Sequence, residues 1–114
     1  MADEISPNTG DPVSGETAKR WIANHRDRHP APDEKLACFY GSEIFNQILA
    51  QPGCVGIRIY FAYDDNGAQQ KVLVGVDASG KNIWDLNATE PGEGGLVADE
   101  GVWCPPICPP NNLI

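Results

Sequence analysis

Cys54-Val55-Gly56-Ile57-Arg58-Ile59-Tyr60-Phe61-Ala62-Tyr63, followed by Asp64-Asp65-Asn66-Gly67 and then Val72-Leu73-Val74-Gly75-Val76, is the stretch that decides the fold. Before the turn its odd positions are Val, Ile, Ile, Phe and Tyr, the period-two alternation of a strand with one covered face. Asn-Gly is the preferred pair for a two-residue type I′ hairpin turn, because both central positions need positive φ. Placing Asn66 and Gly67 at the tip sets Phe61 opposite Val72, Ile59 opposite Val74 and Ile57 opposite Val76, three apolar pairs on one face. A slip of one residue would put them opposite Lys71, Leu73 and Gly75, so pattern and turn chemistry both favour the first register. The other face carries Arg58, Tyr60, Ala62, Lys71 and Leu73 and is expected to be partly solvated.

Upstream, Ser14 is a plausible N-cap for a helix over 15–29, in which Ala18, Trp21, Ile22 and His25 fall at helical spacing. Its polar face carries Lys19, Arg20, Arg26 and Arg28, and Pro30 and Pro32 stop it. The linker over 33–39 has room for a turn of helix. Gly41 breaks the pattern, Ser42 can cap a second short helix over 42–50, and Ile44, Phe45, Ile48 and Leu49 give that helix a dense apolar stripe.

Downstream, Asp77-Ala78-Ser79-Gly80 reads as a type I turn with Gly in the left-handed position, leading to a third strand over 81–86. Four of the ten prolines fall between 105 and 110, which favours an extended, polyproline-like course. At 114 residues one core is the default. The expected architecture is α+β: an antiparallel three-stranded meander with two N-terminal helices packed on one face and an extended Pro-rich C-terminal tail. Residues 1–14 would form a flexible N-terminal arm, 15–90 the α+β domain, and 91–114 a Gly/Pro-rich tail packed on it.

Sixteen acids against eight bases give a formal charge of −8, which repels phosphate backbones and anionic lipid headgroups, so neither nucleic acid nor membrane is an expected partner. No stretch approaches the length of apolar residues that spans a bilayer, and Met-Ala-Asp-Glu lacks the basic start of a signal peptide; the expectation is a cytoplasmic protein.

Cys104-Pro105-Pro106-Ile107-Cys108 is the most distinctive local feature. Its spacing suits one half of a structural zinc site, with Cys38 and Cys54 or His25 and His29 as the remaining ligands, and equally suits a disulfide that staples the tail. His25 and His29 lie at i, i+4 on one helix face, the geometry of a metal pair, yet no Glu stands in the metalloprotease position and the neighbours are cationic, which also fits a solvated helix end. Cys54, after a Pro-Gly turn, could be a nucleophile with one of those histidines as base, or a small buried hydrophobe. Asp64, Asp65, Asn66 and Asp77 do not follow the order of a calcium loop and are turn formers first. Asn87-Ala88-Thr89 is a formal glycosylation acceptor. No phosphate-binding loop, nucleophile elbow or dinucleotide fingerprint occurs.

The run Gln51-Pro52-Gly53-Cys54-Val55-Gly56-Ile57-Arg58-Ile59-Tyr60, with Leu73-Val74-Gly75-Val76-Asp77-Ala78 and the terminal Cys104-Pro105-Pro106-x-Cys108, resembles a group of small bacterial proteins without an assigned activity. The resemblance spans about 15–108, implies a bacterial source and carries no activity, fold or catalytic residue; no cofactor is expected. The residues therefore favour a non-catalytic interaction or self-associating module with a protein partner or a second copy. A zinc module on Cys104 and Cys108 is the alternative, and a thiol enzyme on Cys54 the third reading.

Overall fold

The computed structural model describes residues 4–109 and contains two helices and two antiparallel sheets. In chain order these are α1 (Gly15–Arg28), β1 (Ala37–Phe39), α2 (Ser42–Leu49), β2 (Cys54–Tyr63), β3 (Gln69–Asp77), β4 (Val97–Ala98) and β5 (Val102–Cys104). One sheet has the order β2-β3-β4, and the other pairs β1 with β5. The described residues divide into two compact units, one of residues 4–10 with Tyr40–Gly101, the other of Asp11–Phe39 with residues 102–109.

The first unit is built on the β2–β3 hairpin, whose register differs from the expected one by a single residue. Phe61 pairs with Lys71, Ile59 with Leu73, and Ile57 with Gly75. The cause is Asp64. Its Oδ1 accepts from the amides of Asn66 and Ala68, both at 2.9 Å, while the Gly67 amide donates to the Asp64 carbonyl at 2.9 Å. That pattern closes a type I turn followed by a single left-handed residue, Gly67 at φ 82°, so only one positive φ is needed. The loop gains one residue over the Asn-Gly turn, and every side chain of β2 moves one place along β3.

The turn after β3 repeats the device: Asp77 Oδ1 accepts from Ser79 and Lys81 amides at 2.9 and 3.0 Å, with Gly80 at φ 84°. The third strand expected over 81–86 does not follow. A lone bridge joins Val76 to Asn82, the chain then leaves the sheet, and the third strand is β4, pairing with Leu73 and Val74. Asp85 ends the first attempt by turning the chain, its Oδ1 accepting from the Asn87 amide at 3.0 Å. Gly94 and Gly95 then return against Ile83, Trp84 and Asp85 so closely that a Cβ at either position would overlap them.

The core of this unit is Ile48 of α2 with Leu73, Val74 and Val76 of β3. β3 is the central strand, paired along both edges by β2 and β4, and its successive residues Leu73–Val76 are buried, with α2 passing over Gly75. Gly75 makes that approach possible: a Cβ there would lie 2.8 Å from Gln51 Nε2, 3.0 Å from Cys54 Sγ and 3.2 Å from Ile48 Cγ2. Gln51 braces the end of α2, donating to the Ile48 carbonyl at 3.0 Å and accepting from the Leu96 amide at 2.7 Å. Gly41, rather than Ser42, is the N-cap of α2. Residues 4–9, expected in a flexible arm, form a turn in which the Ser6 amide donates to Thr9 Oγ1 at 3.1 Å and the Thr9 amide to the Ser6 carbonyl at 3.2 Å.

In the second unit Ser14 caps α1, its Oγ accepting from the Thr17 amide at 3.0 Å. The helix buries no residue, and its Trp21 and Ile22 remain exposed. Residues 37–39 form β1 instead of a turn of helix, in register with β5. Just beyond β5 the chain turns, with the Ile107 amide donating to the Trp103 carbonyl at 3.0 Å and cis peptide bonds at Cys104-Pro105 and Pro105-Pro106; the part of the expected extended tail over 110–114 lies outside the described residues. Lys35 Nζ donates to the Pro105 carbonyl at 3.3 Å.

Candidate functional site

Strand position, not strand composition, makes the candidate site. β2 is an edge strand, and among the described residues β3 alone pairs with it. The Asp64 amide donates to the Ala68 carbonyl, so in an antiparallel ladder Ala62, Tyr60 and Arg58 turn their backbone groups toward β3. Ile57, Ile59, Phe61 and Tyr63 consequently turn theirs outward.

The side chains of those same odd residues lie on the face that α2 covers further in. At β2 the cover has run out: Phe61 is 82 % exposed, Tyr63 78 % and Ile59 52 %. The expectation that the helices shield Phe61 is thereby overturned. Lys71, its partner across the ladder, sets its ammonium 4.4 Å from the centre of the Phe61 ring. Phe45 and Leu49 of α2 are also partly exposed.

The opposite face of β2 is fastened. Arg58 Nη1 donates to Asn82 Oδ1 and, at 3.3 Å, to the Gly80 carbonyl. Asn82 Nδ2 donates to the Tyr60 hydroxyl at 2.8 Å, and the Tyr60 ring stacks on Trp84 with centroids 5.6 Å apart. One face of the edge strand is thus pinned by side-chain bonds while the other presents an uncovered aromatic strip.

Beside the strip's inner end an open groove of about 430 Å³ is lined by Ile5, Leu49, Val55, Ile57, Arg58 and Val76. It brings no carboxylate, thiol or imidazole together with Arg58.

The residues singled out by chemistry lie apart from the strip. Cys104 and Cys108 are bonded to each other, with Cα atoms 4.7 Å apart. A zinc site on this pair would need both sulfurs as thiolates. His25 and His29 stack at 4.2 Å between ring centres, with His29 Nδ1 3.0 Å from the His25 carbonyl, in the unit that does not contain Cys54. No group of three or more His, Cys, Asp or Glu capable of holding a metal ion occurs among the described residues. The Cys54 thiol donates to the Gly56 carbonyl at 3.2 Å and packs at Gly75, and Cys38 is the other free cysteine. Asp64 serves its turn. The Ala68 amide first, then the Gln70 side chain and the Asn66 amide, hold its carboxyl below the ordinary carboxylate value.

The strip escapes a search for reactive side chains, because alternation marks a covered face without saying which strand of a sheet bears it. A signal is nonetheless present: Val72-Leu73-Val74-Gly75-Val76 is apolar at successive positions, the mark of a strand buried on both faces, while β2 alternates like a strand with a wet side. No helix among the described residues is long and apolar enough to cross a membrane. No family model, no curated protein and no solved structure matches the chain.

Proposed function

We propose that the chain is a non-catalytic protein-interaction module whose contact surface is the free edge of β2 with Ile59, Phe61 and Tyr63. The observation that carries this reading is the exposure of two neighbouring aromatic rings on a strand whose opposite face is pinned by Arg58, Tyr60, Asn82 and Trp84. Aromatic side chains have few rotatable bonds and so lose little conformational freedom on contact, and burying each removes a large apolar area from water. Edge strands left open are templates for another strand, and solitary domains blunt them with Pro, Lys or bulges. β2 has no Pro and no Lys, and its one irregularity lies at its start, between Cys54 and Gly56.

The acidic surface argues for a protein partner over nucleic acid. Disulfides persist in oxidising compartments, so the Cys104–Cys108 bond and the expectation of a cytoplasmic protein pull in opposite directions. A thiol count on protein taken directly from its own cells decides between them.

The interaction reading is tested by placing a photo-crosslinking phenylalanine analogue at Phe61, and separately at the exposed Leu86, in the cells that produce the protein. Irradiation is expected to yield an adduct from position 61 and none from position 86. The absence of any adduct at 61 would remove the proposal.

A further inference from the structure

Resting on that reading, we propose that the occupant of the β2 edge is a second copy of this chain, paired antiparallel about a two-fold axis at Ile59 so that the sheets of two molecules join into one. The backbone geometry allows it, because the outward-facing residues are all odd and an antiparallel pairing centred on Ile59 matches odd with odd. Ile59 then meets its own copy, Ile57 meets Phe61 of the second copy, and Val55 meets Tyr63 of the second copy. The Ile59–Ile59 and Ile57–Phe61 pairs are apolar with their backbone groups bonded across the axis, while Val55 lies in the bulge at the start of β2.

Charge selects both the strand and the register. Two chains at −8 repel, yet from Ile44 to Tyr63 no acidic residue occurs, the longest such run in the sequence, and the strand's own single charge is Arg58. The pairing strands themselves therefore carry no acidic residue into the contact. Centring the axis on Arg58 would set two guanidinium groups face to face. Centring it on Ile59 sets Arg58 opposite Tyr60 of the second copy instead, so no like charges meet on the axis, and β2 overlaps its copy over residues 55–63. The surface is thus complementary to itself, as a two-fold interface requires.

Sedimentation equilibrium of the full chain over a wide concentration range tests this. The expected result is a concentration-dependent mass rising toward twice 12.3 kDa. Ile59→Lys, which puts two ammonium groups on the axis, should weaken association at least about tenfold. Leu86→Lys, at an exposed position away from β2, should leave it unchanged. Should Ile59→Lys fail to fold, the unaltered protein still decides: amide exchange at Ile57, Ile59 and Phe61 should slow as concentration rises. A monomer at every concentration overturns the second copy as occupant. A dimer indifferent to Ile59→Lys, or one whose odd β2 amides stay unprotected, overturns it as well. Neither result touches the broader reading, which an adduct of another mass at Phe61 would still support.

Discussion

The chain makes the same reversal twice. At 64–68 and again at 77–81, one Asp oxygen accepts from two following amides and a Gly three places on takes positive φ. The first turn opens onto the whole of β3, the second onto a single bridge at Asn82 before the chain departs. Turn chemistry therefore fixes register, and the residues beyond the turn fix strand length. Beyond the first turn the chain is apolar at successive positions from Val72 to Val76; beyond the second comes Asp85, which makes a turn of its own.

The contrast is sharpest in the core. Leu73→Ala, in the buried core, should cost about 3 kcal/mol, whereas Leu86→Ala, on the run that failed to become a strand, should stay within about 0.5 kcal/mol. Urea midpoints of the two variants measure the difference, and equal losses would place Leu86 in the core as well.

A third reversal, at 104–108, is closed by a covalent bond instead of an Asp. Its reduction should lower stability by about 2 kcal/mol on a chain-entropy basis, seen as a lower melting temperature with reductant. Denatured, unreduced protein should titrate two thiols, Cys38 and Cys54, and all four cysteines after reduction.

If the two Asp-Gly turns are equivalent, Gly67→Ala and Gly80→Ala should each cost about 1 kcal/mol, because a Cβ is strained at the observed φ while space around both positions is open or in ordinary contact. A cost at one position alone would break the equivalence.

The smallest effect concerns Asp64. Its carboxyl is held below its unfolded value by the Ala68 amide, the Gln70 side chain and the Asn66 amide, so its contribution is present above the ordinary carboxylate pKa of about 3.9 and is lost as pH falls through the depressed folded value. Asp64→Asn should flatten that acid-side loss. Thermal melts of both proteins from neutral pH down to the acid limb measure it, and identical pH profiles would contradict the assignment.

Much of the fold is legible in the residues. Alternation from Val55 to Tyr63 locates β2, Ser14 locates the start of α1, and Asp77-Ala78-Ser79-Gly80 identifies the second turn correctly. The first turn misleads because Asn66-Gly67 is a strong local pair, and the Asp two places before Asn66 overrides it by bonding forward across the loop. β1 and β5 are invisible for a different reason: each has three residues, too few for a period, and they meet only through a long-range pairing. The candidate site is least legible, because Ile59, Phe61 and Tyr63 look like core among any set of apolar residues. Their exposure arises from sheet order, a tertiary fact, whereas the cysteines and histidines that draw notice are defined by local spacing.

β2 is an open edge in the register set by Asp64. Residue-resolved amide exchange on dilute protein, where the mass is 12.3 kDa, tests this directly. Slow exchange at Arg58, Tyr60 and Ala62 with fast exchange at Ile57, Ile59 and Phe61 is the predicted pattern. The reverse alternation would mean the hairpin has slipped by one residue, and uniform protection would mean the edge is already covered within a single chain; either would contradict the claim.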